Sequence, residues 1–126
     1  MKKKNNIYLQ TSHLFFLMPL ALSIYLSLEL YLLIVSLMLS CSILYHGTNY
    51  FLFNILDRTL AILLIFANVL LCIFGELSSI YFLIVCMLIP ISFYYLLKEE
   101  DYIWNHSLWH IVSAYICMFS LLTYFM

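Results

Sequence analysis

The segment NHSLWH, residues 105–110, sets His106 and His110 four apart inside a hydrophobic run, in a chain with only four histidines. Helical residues four apart share a face, so both imidazoles can aim at one point. The same spacing joins Ser42 to His46, and Asp57 follows eleven residues later. If His46 meets the pair, three imidazoles form the open ligand set of a catalytic zinc, with water in the fourth position. Such an ion lowers the pKa of its water towards neutrality and makes a nucleophile. Asp57 can then orient that water or act as its base. Ser42 can donate a hydrogen bond to a developing oxyanion. Singly, each residue has a plainer role: Ser42 in packing, Asp57 as a helix cap or partner of Arg58, His46 at the membrane interface. His13, the fourth histidine, reads as interfacial, near the start of the first apolar run.

The elements that must position these residues follow from composition. Of 126 residues, 67% are hydrophobic and 9% charged, with mean hydropathy +1.08. A soluble domain averages about 45–50% apolar and about 25% charged residues, so the chain reads as an all-α, polytopic transmembrane bundle occupying residues 1–126 as a single domain. A spanning helix needs about 20 apolar residues, and five runs qualify: 9–26, 29–47, 56–74, 78–97 and 104–125. Leu28-Glu29, the stretch Gly47–Asn54, Gly75-Glu76 and Lys98–Asp101 separate them. Backbone in lipid must pair internally, which excludes open sheets. The first run could alternatively be a signal peptide after Lys2, Lys3 and Lys4, but no small-residue cleavage site stands out before Glu29. The four cysteines (Cys41, Cys72, Cys86, Cys117) lie in apolar runs without CxxC spacing, as buried small hydrophobes do. No basic patch, phosphate loop or nucleic-acid motif is present, so nucleic acid is not an expected partner. The bilayer is.

Orientation follows from the basic residues. With the N-terminus inside and five crossings, Lys2, Lys3, Lys4, Arg58 and Lys98 are all cytoplasmic. The end of span two, with Ser42 and His46, then shares a depth with the starts of span three (Asp57) and span five (His106, His110). Ionisable residues at such depths usually face a bundle interior and mark function. Asn105 opens a glycosylation sequon, NHS, which this topology leaves unused.

The run E-x12-S-x3-H-x10-D (Glu29, Ser42, His46, Asp57) followed by H-x3-H resembles the superfamily of alkaline ceramidases, progestin and adipoQ receptors, haemolysin-III-like and myomaker-like proteins. The segments DYIWNHSLWHIVSAY (101–115) and SCSILYHGTN (40–49) look most like the myomaker-like branch, and the likeness covers residues 10–126. It implies a zinc site near the cytosolic face on His46, His106 and His110, with Ser42 and Asp57 beside it. It further implies hydrolysis of a ceramide-like amide in a membrane lipid. That family has seven spans against the five counted here. Removing a pair between span three and the last preserves parity but takes wall from a lipid pocket. The sequence therefore points to a zinc-dependent lipid hydrolase. A receptor-like or membrane-remodelling protein with structural zinc is the competing expectation. A third is a small helper subunit, or a degenerate fragment, that needs a partner for its missing spans; oligomerisation is compatible with each.

Overall fold

The computed structural model describes residues 10–48, 51–75, 79–98 and 102–125, and all the regular structure among them is helical. A 3-10 turn, His13–Phe16, leads into α1 (Leu17–Tyr25). There follow α2 (Glu29–Thr48), α3 (Phe51–Phe74), α4 (Ile80–Leu97) and α5 (Tyr102–Phe125). Four segments are long and apolar enough to cross a membrane: Glu29–Gly47, Phe51–Phe74, Ile80–Leu97 and Trp104–Phe125. The first expected run, 9–26, is helical over residues 10–25. Lys2, Lys3, Lys4, Glu76 and Asp101, used above for orientation and breaks, lie outside the described residues.

The distribution of side chains is inverted relative to a protein that folds in water. Leu30, Phe51, Leu52, Phe66, Phe74 and Met87 are exposed, while Ser23, Ser42, His46, His110, Ser120 and Thr123 are buried. An exposed apolar surface of this extent is stable in lipid, where burying the polar groups against one another avoids their desolvation cost.

The break between α1 and α2 is a paired-hydrogen-bond helix stop. Ser27 N donates to Ile24 O (3.1 Å) and Leu28 N to Ser23 O (3.0 Å). Ser27 carries the left-handed φ of 58° that this stop requires. Helix α3 starts at Phe51, earlier than the expected residue 56. Asn54 is no breaker there, since its Oδ1 accepts from Arg58 Nε one turn on (3.1 Å). Ser79 caps α4 by accepting from Phe82 N (3.3 Å).

Helix α5 is the hub. It packs on α1, α3 and α4, and α2 packs on α1 and α3. Small buried residues along it, Ser107, Ala114, Cys117 and Ser120, let neighbouring backbones approach. One close approach is at Gly75, where an added Cβ would stand 2.7 Å from the Thr123 carbonyl carbon. Tyr31 Oη donates to Asn68 Oδ1 (2.6 Å) and Asn68 Nδ2 to Cys117 Sγ (3.4 Å), tying α2, α3 and α5 through the middle. Of the cysteines, Cys72 and Cys117 are buried as expected, Cys41 is half-buried and Cys86 exposed. Contacts such as Tyr25–Phe125 and Tyr81–Phe119 fix the directions. The starts of α1, α3 and α5 and the ends of α2 and α4 share one end of the bundle.

Candidate metal centre

All four histidines gather at that shared end. His13 enters from the 3-10 turn, His46 from the last turn of α2, and His106 and His110 from the second and third turns of α5. His13, His46 and His110 are buried, at 3%, 4% and 4% exposure. One nitrogen of each lies within 4.8 Å of the others, a group that can hold a metal ion. The His106 ring stands beside them, its centroid 5.1 Å from that of His46 and 4.6 Å from that of His110. The i, i+4 spacing of His106 and His110 does bring their rings together. The group whose donor atoms lie within 4.8 Å of one another is His13, His46 and His110, with the expected His106 outside it.

Hydroxyl groups hold two of the rings. Ser12 Oγ is hydrogen-bonded to His110 Nδ1, and Ser42 Oγ to His13 Nε2, each at 2.8 Å. A hydrogen bond on one ring nitrogen is how proteins fix the orientation of imidazole ligands. Ser42 is 2% exposed and lies against the half-buried Asp57. Gln10 Nε2 donates to Ile43 O on α2 (3.2 Å), so residues 10–13 meet α2 and α5 through three polar contacts. Glu29, which shares the sequence pattern, is exposed at the opposite end of α2, about 25 Å of helix from His46.

The donor chemistry suits a borderline divalent ion. Imidazoles serve zinc, copper, iron and nickel, whereas magnesium and calcium need oxygen donors. Zinc–nitrogen bonds of about 2.0–2.1 Å require donor separations of about 3.4 Å, against the 4.8 Å within which these nitrogens lie. Among the described residues no cysteine joins this group.

An elongated cavity of about 450 Å³ starts at the centre. Its polar end is formed by His13, Ser42, Asp57 and His110, and its far end by Cys72, Phe82 and Ser120. It lies between α3 and α4, with α5 as its floor. Asn105 is buried, so its sequon offers no accessible acceptor.

Two participants escaped the sequence reading, Ser12 and His13. The depth rule that grouped the other histidines also covers His13, a few residues into a run starting at the same surface. Its place near the start of the first apolar run reads instead as interfacial. No family model, curated protein or solved structure matches the chain.

Proposed function

We propose that the protein is a multi-pass membrane hydrolase that uses zinc on buried imidazoles to cleave an amide or ester bond of a lipid. The observation that carries this reading is the position of the histidine cluster, with Ser42 and Asp57, at one end of an apolar cavity. From Asp57 to Ile73 the cavity wall follows α3 for sixteen residues, about 24 Å. One leaflet of the hydrocarbon core is about 15 Å deep, so an acyl chain fits along it. Helix α4 packs on α5, and the cavity fills the space between α4 and α3, which provides lateral access from the bilayer.

His46, His110 and a third imidazole would hold the ion, which as a Lewis acid polarises the carbonyl and activates water. The chain's own groups do the rest. Ser42 donates a hydrogen bond to the carbonyl oxygen as negative charge develops there. Asp57 takes the proton of the attacking water and delivers it to the leaving nitrogen or oxygen. The apolar walls exclude bulk water from all but the polar end. The resemblance to alkaline ceramidases favours a ceramide-like amide, and the basic residues favour a cytoplasmic N-terminus with the centre in the inner leaflet.

Release of fatty acid or sphingoid base from a lipid panel by the purified, zinc-loaded protein tests this reading. Asp57→Asn should keep the metal and lose about 10²- to 10⁴-fold in turnover. Zinc-loaded protein inert on ceramides, N-acyl lipids and phospholipids refutes it. That outcome favours a receptor-like or membrane-remodelling protein with a structural ion, a reading supported by the presence of a fourth imidazole that could close the site.

A further inference from the structure

We propose that His13 is a displaceable fourth ligand. It is carried in by the N-terminal helix and occupies the coordination position that water needs. The inference rests on the metal reading above and adds to it how the centre is closed and opened.

Ring geometry is the first support. A ring centroid lies about 3.2 Å from an ion bound through its nitrogen, so imidazoles in a tetrahedron have centroids about 5 Å apart. Five pairs among the four histidines fall between 4.4 and 5.9 Å. His13 itself is 5.9 Å from His46 and 4.4 Å from His110. Its ring stands beside two of the other three, as the ring of His106 does.

The state of its two nitrogens is the second. Nε2 is held by Ser42 at 2.8 Å, while Nδ1 is buried without a hydrogen-bond partner among the described residues. The Gln10 backbone lies beside that ring. A buried polar nitrogen left unmade costs about 1–3 kcal/mol unless something satisfies it. An ion at the centre of the cluster does so, with Ser42 as the orienting partner on the other side.

The third is mechanical. His46, His106 and His110 stand on helices of 20 and 24 residues. His13 stands on a 3-10 turn, His13–Phe16, inside a helical stretch described from residue 10 to residue 25. The hydrogen bonds of a 3-10 turn are poorer than those of the α-helices that carry the other three, so it opens at lower free-energy cost. While docked, His13 blocks the centre twice, by taking a coordination position and by engaging the hydroxyl of Ser42. Withdrawal of residues 10–16 releases both.

Cobalt(II), whose visible bands report coordination, tests this in the full-length protein in detergent, with azide as a probe for an open position. Wild type should bind one cobalt per chain with a spectrum indifferent to azide. His13→Gln should retain the cobalt, and azide should now shift its bands. His13→Cys should add a near-ultraviolet thiolate-to-cobalt charge-transfer band, which a residue outside the coordination sphere cannot produce. Helical circular dichroism and monodisperse elution identify variants that have merely misfolded, and the cysteine variant gives a positive signal independent of any loss. The proposal is overturned if wild type and His13→Gln respond equally to azide and His13→Cys shows no charge-transfer band. Loss of cobalt from folded His13→Gln overturns the displaceable role. Wild type that binds no cobalt, or His46→Ala that binds it unchanged, overturns the metal reading itself.

Discussion

Ser12→Ala isolates the hydroxyl that holds His110. Ser12 is 4% exposed, and its Oγ lies 2.8 Å from His110 Nδ1. Removing it deprives a buried ring nitrogen of its partner, at a cost of about 1–3 kcal/mol. In the metal-free protein the ring can turn to recover part of that cost, whereas in the metal-bound protein its orientation is fixed by the ion. The loss therefore falls mainly on the bound state. At about 1.4 kcal/mol per factor of ten, zinc affinity should drop by about fivefold to about a hundredfold. This matches the about 10- to 100-fold found when orienting partners of metal-bound histidines are removed. Competition between the protein and a chromophoric chelator gives the affinity directly, with Ser12→Thr as the variant that keeps a hydroxyl in place. Affinity equal to wild type in Ser12→Ala, with the fold intact, refutes the assignment of His110 as a ligand held by this hydroxyl.

The two glycines should respond oppositely to the same change. Gly75→Ala drives a Cβ into the Thr123–Tyr124 backbone and should destabilise the bundle by about 1–3 kcal/mol, while Gly47→Ala meets only the movable end of Gln10 at 3.3 Å and should be tolerated; thermal unfolding in detergent separates them. Ser27→Gly removes the cost of a side chain at φ 58° and should stabilise by about 0.5–1 kcal/mol after allowing for the freer unfolded chain, read from the same melts.

Helix number and direction were legible because they depend on quantities that sequence carries: the length of apolar runs and the parity of crossings. Boundaries were less so. The stretch from Gly47 to Asn54 reads as a polar link before residue 56, yet Arg58 donates to Asn54 across one helical turn and the helix is already formed at Phe51. The i, i+4 pairs of the site were legible for the same reason as the helices, since a face is a local property. What joined them to Ser12 and His13 is a tertiary fact, the docking of a short helix between α2 and α5, with no counterpart in spacing. Tyr31 and Asn68 were passed over likewise. Each is an ordinary residue of an apolar run, and only the crossing of α2 with α3 brings Oη within 2.6 Å of Oδ1.

Depth alone does not explain why the rings meet. His46 lies two residues from the end of α2, about 3 Å along its axis. His110 lies eight residues into α5, about 12 Å from the same end of the bundle. Their backbones differ in depth by about 9 Å, yet the ring centroids are 5.5 Å apart. Helical side chains tilt towards the N-terminus of their own helix. On α2 that tilt carries the His46 ring inward, away from the shared end. On α5 it carries the His106 and His110 rings outward, towards it. His13, on an element running in the same direction as α5, tilts outward as well. Antiparallel pairing thus converts a spread of backbone positions into one cluster of rings. Had α2 and α5 run parallel with the same sequence separations, both sets of rings would tilt the same way and the offset would remain. The alternating topology that puts these histidines at one end is also what lets their imidazoles converge there.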